Sequence, residues 1–353
     1  NYPEGKLFPG YKICGLQAEQ FHSLKVKRVP LLPRGAGAVR LALNYISFIL
    51  SACLFGPFQL RRKPFDVVFV YGISPILAAL PALLLGWLKG APVVIWVQDL
   101  WPESLSATGY VKNKWVLYAI EQIVRFIYAR ADLLLVQSEA FIGEVKPFAG
   151  STPVVYYPNS VDDSFSQPVQ SGDIPLPDLT EKFIVLFAGN IGKAQAIETI
   201  IEAAESLKAH PYIHFVLVGD GRMRSWAQDE IAARNLTNVS LPGIFPIERM
   251  PAFMNQASAL LVTLKDEAIF AKTVPNKVQA YLAVGRPIIA ALNGEGARVV
   301  TEAGAGIAAG AENAEALANA CLSLFELPLE ERQKMCEQGR IYFFNHYDHE
   351  KLI

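Results

Sequence analysis

Short, continuous apolar runs alternate along this chain with longer stretches that are apolar on one face only. That alternation is the signature of buried parallel strands joined by helices. In the first part of the chain the strand-like runs are Asp66 to Tyr71, Val93 to Val97, Leu133 to Val136 and Val154 to Tyr157. In the second they are Ile184 to Phe187, His214 to Val218, Val239 to Leu241, Ala259 to Thr263 and Ile288 to Ala291. The spacing predicts helices over Ser74 to Lys89, with Ser74 as N-cap, and over Lys114 to Arg130, Ala194 to Leu207, Arg222 to Arg234, Glu248 to Asn255 and Val278 to Val284. Between the two sets, Asp163 to Glu181 is rich in Ser, Pro, Gln, Gly and Asp and reads as a linker. The expected organisation is therefore α/β: a doubly wound, Rossmann-like domain over 1–162, a linker over 163–182 and a second such domain over 183–353. No strand-like run precedes Lys25, whereas a doubly wound domain normally opens on its central strand and a glycine loop. The first domain is thus expected to be incomplete at its start.

One stretch stands outside this alternation. Residues 39–60, VRLALNYISFILSACLFGPFQL, are close to the ~20 residues that span a bilayer, but Arg40, Asn44, Gly56, Pro57 and Gln59 interrupt them. Lys25, Lys27, Arg28, Arg34 and Arg40 lie before the stretch or at its start, and Arg61, Arg62 and Lys63 follow it. Two readings fit: a helix lying in a membrane surface, or an unusually apolar core helix packed on a sheet.

Charge sharpens the division of the chain. Residues 1–160 carry 16 Lys and Arg against 9 Asp and Glu, while 161–353 carry 16 against 24. A basic first half suits an anionic lipid surface or a phosphorylated acceptor; nucleic acid would demand denser clusters of Lys and Arg. Cys14, Cys53, Cys321 and Cys336 are far apart and form no CxxC pair, and the five histidines show no ligand spacing. No metal is expected, and no DxD pattern is present to hold a divalent ion.

The strongest candidate chemistry begins at Phe183. Strand, Gly189-Asn190-Ile191-Gly192 loop and helix follow one another there, with Lys193 adding a positive charge. Such a unit offers backbone N–H groups and the positive end of a helix dipole to a phosphate, although two glycines also make an ordinary βα turn. A second cation, Lys277, follows Pro275-Asn276 in the first turn of a predicted helix, where the dipole disfavours it unless an anion sits above. At the end of the Val93 strand stands Gln98-Asp99-Leu100-Trp101-Pro102-Glu103, and its two carboxylates are candidates for acid/base work. Asp99 could equally cap a turn.

Taken in order, Phe187 to Gln195, Val218-Gly219-Asp220-Gly221, Pro275-Asn276-Lys277 and Tyr281 to Pro287 resemble the retaining GT-B glycosyltransferases of family 4. The strand end Val97 to Ser104 and the hinge Tyr157 to Asp162 extend the resemblance over nearly the whole chain. Within that family the bacterial fucosamine-type transferases of O-antigen, capsule and colanic acid synthesis are the most similar. The resemblance implies two Rossmann-like domains facing a cleft, a UDP-sugar donor on the second domain and a polyprenyl-diphosphate-linked saccharide acceptor on the first, with no further cofactor. Gly189, Asn190, Gly192, Lys193, Pro275, Asn276 and Lys277 would hold the diphosphate, and the loop with Gly243 and Ile244 would face the base. Asp99 and Glu103 would serve catalysis, and the enzyme would work from the cytoplasm, peripheral on the inner face of the bacterial plasma membrane. The sequence departs from the family in three places: Asn190 and Gln195 replace its common cations, Lys272 and Ala280 occupy its paired-glutamate positions, and Gln98 stands where a histidine is frequent. A sugar-nucleotide-binding protein without catalysis and an epimerase of the same fold are the competing functions.

Overall fold

Both sets of alternating elements fold into parallel sheets. The computed structural model describes residues 7–35, 37–107, 111, 113–167, 179 and 181–352. Most of the expected linker, 168–178 and 180, lies outside the described residues. The chain divides into two units, Asn1–Tyr157 and Pro158–Ile353.

The first unit begins with an antiparallel hairpin of β1 (Gln17–Phe21) and β2 (Leu24–Arg28), followed by helix α1 (Ala38–Leu60). Its parallel sheet runs in chain order, β3 (Val68–Gly72), β4 (Val93–Val97), β5 (Leu133–Val136) and β6 (Val154–Tyr156). Helix α2 (Ala79–Lys89) connects β3 to β4; α3 (Glu103–Ala107) and α4 (Lys114–Tyr128) connect β4 to β5; α5 (Glu139–Ala149) connects β5 to β6. Ile95, Val97, Leu134 and Val136 face Ile76, Val124, Ile127 and Phe141 in its core.

The second unit has six parallel strands. They are β7 (Phe183–Ala188), β8 (Ile213–Val218), β9 (Val239–Gly243), β10 (Ala259–Thr263), β11 (Ile288–Ala291) and β12 (Gly306–Ala309), in the order β12-β11-β10-β7-β8-β9. Helices α6 (Ile197–Ser206), α7 (Arg224–Ala233), α8 (Met250–Gln256), α9 (Ala268–Ala271), α10 (Asn276–Val284), α11 (Glu295–Glu302), α12 (Ala314–Glu326), α13 (Leu329–His346) and α14 (His349–Leu352) complete it. Every residue of β7 is buried, because Ile184, Leu186 and Ala188 pack with Val278 and Tyr281 of α10 while Phe183, Val185 and Phe187 pack on the opposite layer with Ile197 and Ile201 of α6. Burying such side chains is worth about 1.5–3 kcal/mol each, which makes β7 the central strand of the unit. The order reverses at β7: β8 lies on one side and β10 on the other. Loops at the carboxyl ends of strands beside such a reversal diverge and leave room for a ligand.

Four sequence expectations change. The hairpin over 17–28 was not expected; its strands are five residues each and mostly exposed, so they show no buried apolar run, and the alternation in Leu24-Lys25-Val26-Lys27 is too short to stand out. Ser74 does not cap α2, which follows a 3₁₀ turn over Ile76–Ala78; its Oγ instead accepts the Trp101 Nε1 proton at 2.9 Å. Helix α6 starts at Ile197, three residues later than expected, because Lys193–Gln195 form a 3₁₀ turn and Ala196 takes a positive φ of 44°. Helix α10 begins earlier, at Asn276, directly after Pro275, so Lys277 sits in its first turn.

As for 39–60, none of its apolar window is buried in the protein. Exposed Val39, Leu43, Ile46, Leu50, Leu54 and Phe58 recur every three or four residues and so form one stripe along α1. The polar groups of the helix are used against the chain before it: Ser47 Oγ accepts from the Leu32 amide at 3.0 Å and Gln59 Nε2 donates to the Arg28 carbonyl at 3.4 Å.

Gly219 ties three loops at the carboxyl edge of the second sheet. Its amide donates to the Gly243 carbonyl at 2.8 Å, its φ is 139°, and a Cβ there would run into the Gly189 carbonyl. Strain of this kind costs about 1–3 kcal/mol before any clash is counted. Gly219→Ala should therefore lower the unfolding free energy by at least about 2 kcal/mol in urea titration. Gly56→Ala, in α1 with nothing near its added methyl, should raise it by about 0.5–1 kcal/mol. Equal effects would show that the loop junction is not constrained as described.

Candidate functional site

In the second unit the loops after β7, β8 and β9 are bonded into one platform. The Gly189 amide donates to the Val218 carbonyl at 2.8 Å, the Ile191 amide to the Asp220 carbonyl at 2.7 Å, and the Met223 amide to the Ile191 carbonyl at 2.9 Å. Two amides of the glycine loop are thus committed within the protein, so the loop does not offer all of its N–H groups outward, as the sequence suggested. Beyond the loop, Asn190 Nδ2 donates to Gln195 Oε1 at 3.1 Å, and Thr263 Oγ1 donates to the Gln195 carbonyl. Asn190 and Gln195, which replace the family's common cations, hold each other and brace the loop.

Lys277 reaches this platform from α10. Its Nζ lies 3.6 Å from the centroid of the Phe187 ring and stands so close over Gly189 that a Cβ on that residue would be 2.8 Å from Lys277 Cε. The ammonium nitrogen is buried and has no hydrogen-bond partner within the protein. Burial without an anion pushes its pKa down to about 7. Four residues on, the Tyr281 hydroxyl donates to the Leu261 carbonyl at 3.3 Å and accepts from the Ala188 amide at 3.4 Å, which locks α10 to the end of β7 and the middle of β10. Tyr281 therefore fixes where Lys277 stands; sequence reading did not single it out. Ahead of Lys277, Asn276 Oδ1 accepts from Asn159 Nδ2 at 2.7 Å, which joins the Tyr157 to Asp162 hinge to the start of α10. Lys193 is exposed on its 3₁₀ turn. Gly189, Asn190, Gly192, Pro275, Asn276 and Lys277 thus belong to one neighbourhood, with Lys193 at its solvent side.

Next to it, Gly243 has a φ of 101°, and the Arg224 guanidinium lies 3.4 Å from where its Cβ would be. Arg224 also approaches Asp220 at 3.8 Å. The following Ile244 is exposed. Arg224 is a cation at this edge that the sequence reading missed, because it lay inside a predicted helix with nothing to distinguish it from a solvated charge.

The first unit carries its own polar cluster, at the carboxyl ends of β4 and β5. Asp99 Oδ2 accepts the Ser74 amide at 2.9 Å, so Asp99 secures the loop after β3, and Glu103 opens the short helix α3. Beneath them the Tyr128 hydroxyl is buried without a hydrogen-bond partner; burial, and then the fields of Glu103 and Asp99, raise its pKa and keep it protonated. Gln98 Nε2 and Gln137 Oε1 are also buried and unpartnered. Buried polar groups left without partners are uncommon and point to a place where another molecule completes the bonding. Tyr128 and Gln137 were not legible as site residues, since one ends an ordinary amphipathic helix and the other follows a strand of Leu and Val.

Comparison with known proteins decides the family of both units. Residues 13–159 match the model of the Glycosyl transferase 4-like domain, and residues 175–342 match that of Glycosyl transferases group 1. The chain is built of two glycosyltransferase domains. It is 28% identical over 276 residues to the probable glycosyltransferase WbjE of Pseudomonas aeruginosa, covering 76% of this chain and 68% of that protein. It is 27% identical over 297 residues to the putative colanic acid biosynthesis glycosyl transferase WcaI of Escherichia coli K12, covering 80% and 71%. Among solved structures, sucrose-phosphate synthase of Thermosynechococcus elongatus superposes with a TM-score of 0.75 at 17% identity, covering 98% of this chain and 84% of that one. Anabaena HepE in complex with UDP and glucose does so with a TM-score of 0.66 at 16% identity, covering 86% and 79%. These likenesses give the glycosyltransferase chain a GT-B fold of two Rossmann-like domains.

The environment of Lys277 has a consequence for stability. Its pKa is depressed in the folded glycosyltransferase and ordinary in the unfolded chain, so between about pH 7 and pH 10 the unfolded state holds more protons. The contribution of this residue to stability therefore rises with pH across that window and is lost as pH falls toward 7. Urea unfolding of the parent and of Lys277→Met at several pH values checks the sign. The parent should gain on the variant as pH rises; parallel profiles would mean that Lys277 is not buried as a bare ammonium.

Proposed function

We propose that this glycosyltransferase moves a sugar from a UDP-sugar to a lipid-linked saccharide acceptor in the synthesis of a bacterial surface polysaccharide. The single observation that carries the donor part is the unpartnered Lys277 ammonium held over the Gly189 loop at a topological switch point. A diphosphate is the anion that such a seat lacks. UDP in complexes of HepE, the glycosyltransferase name of WbjE and the colanic acid biosynthesis named for WcaI support the same reading. The sugar transferred is an N-acetylated amino or deoxyamino sugar, by resemblance to the fucosamine-type transferases.

In this mechanism the bond from the anomeric carbon to the β-phosphate oxygen breaks while an acceptor oxygen bonds to the same face of that carbon. The acceptor hydroxyl proton passes to the departing diphosphate, and bonding on the face that the diphosphate leaves retains the configuration. Lys277 stabilises the charge that grows on the diphosphate, as fixed dipoles and cations do in a dry site. Arg224 and the Gly243-Ile244 edge flank the nucleoside. Asp99 and Glu103, with the protonated Tyr128 below them, orient the acceptor on the first domain.

Two outcomes test the chemistry. Lys277→Ala should weaken UDP binding by about 1.5–3 kcal/mol in calorimetry, the worth of a charge-assisted hydrogen bond, and Lys193→Ala should weaken it less. With a panel of UDP-sugars and a lipid-linked acceptor, Asp99→Asn should cut turnover much more than UDP affinity. Transfer at the parent rate would leave Asp99 with only its bond to the Ser74 amide.

Attachment to the inner face of the plasma membrane belongs to the same proposal and is supported by α1, whose unburied stripe lies between basic clusters that attract anionic lipid at about 1 kcal/mol per cation near the surface. Changing Ile46, Leu50 and Leu54 to Ser should reduce co-sedimentation with anionic liposomes, and high salt should weaken the parent's attachment. Equal sedimentation of parent and variant would remove α1 from the membrane.

A further inference from the structure

The polar sites all lie at the carboxyl ends of strands. A separate cavity of about 740 Å³ opens at the amino ends of the first unit's sheet, where Val93 starts β4 and Asp132 precedes β5. Leu80, Leu83, Leu84 and Trp87 of α2 and Phe126 of α4 form its apolar walls, and Arg130 stands beside them just past the end of α4. Walls of this kind offer ordered water few partners and favour a hydrocarbon.

Charge and continuity identify the occupant. The Arg130 guanidinium lies 4.6 Å from the Phe126 ring centroid. Asp132 is the one carboxylate of the lining, and its Oδ2 is engaged by the Val93 amide at 2.7 Å. Lys89 Nζ donates to the carbonyls of Leu60, Arg61 and Lys63 at 2.7, 3.1 and 2.9 Å, which clamps the basic end of α1 to the last turn of α2. In that turn Trp87 is 79% exposed and Leu88 is exposed beside it, so both helices joined by the Lys89 clamp carry exposed apolar side chains, Leu54 and Phe58 on α1 and Trp87, which also lines the cavity, on α2. The length of β4 separates this cavity from Asp99, about 17 Å for five residues. A molecule reacting at the polar cluster therefore does not need it.

We propose that this cavity takes one acyl chain of an anionic phospholipid, with the phosphate against Arg130. The source of the lipid rests on the membrane-facing reading of α1, but the cavity itself does not. Binding would pull single lipid chains out of the bilayer and fix the rotation of the first domain on the surface, which α1 alone, a single cylinder, leaves free.

The experiment is calorimetric titration of the full chain with monoacyl phosphatidylglycerol below its micelle concentration. Saturable binding of about one equivalent is expected. Leu84→Trp, which fills the cavity, should weaken it at least tenfold while circular dichroism stays unchanged. Arg130→Gln, on the surface and neutral to folding, should narrow the preference for monoacyl phosphatidylglycerol over uncharged monoacylglycerol several-fold. The α1 variant with Ile46, Leu50 and Leu54 changed to Ser should still bind the monomeric lipid, whether or not it loses liposomes, so the two readings fail separately. No saturable binding by the parent, or unchanged binding by both cavity variants, overturns the proposal; so does a prenyl phosphate that binds tenfold more tightly than the phospholipid.

Discussion

A buried ammonium with no anion beside it is expensive, and the second domain is built to hold one at Lys277. Three constraints keep it there. Tyr281 bonds α10 to the end of β7 and the middle of β10, Phe187 places its ring face under the charge, and Gly189 has no side chain to push it away. Attraction to a ring face offsets part of the cost, worth about 2 kcal/mol when desolvated, but it does not replace a counter-ion. Burial accordingly holds its pKa down at about 7. Lys277 therefore stays in place through packing and not through pairing.

That arrangement accounts for what the sequence lacks. Family 4 resemblance led one to expect cations after the glycine-loop strand, yet Asn190 and Gln195 bond to each other there and steady the loop. The positive charge has been gathered on fewer residues, with Lys277 over the loop and Arg224 beside Gly243. In the first domain Gln98, Gln137 and Tyr128 bring buried polar atoms without protein partners to the same strand ends as Asp99, which already serves the loop after β3.

Much of this was legible beforehand. Buried parallel strands announce themselves because both of their faces are covered, and Ala259 to Thr263 and Ile288 to Ala291 fell where expected. Gly189 and Lys277 could be named because glycine after a strand and lysine against a helix dipole are both locally costly, and cost without local reason points to function. Burial, by contrast, is decided by distant parts of the chain. Nothing near Lys277 says that Phe187 lies under it, and nothing in α4 says that the Tyr128 hydroxyl ends beneath two carboxylates. Helix α1 shows the limit from the other side: its composition left core and membrane equally open, and its exposed stripe is visible only in the fold.

If the seat at Lys277 is a diphosphate site, filling it must return the ammonium to an ordinary pKa. UDP binding at pH 8 would then draw a proton from the buffer, and calorimetry in two buffers of different ionisation enthalpy counts it directly. With an unliganded pKa of about 7, uptake of roughly 0.9 proton per UDP is expected at that pH. The Lys277→Met variant should take up none. Buffer-independent heats for the parent would contradict the account, since UDP would then bind without engaging Lys277.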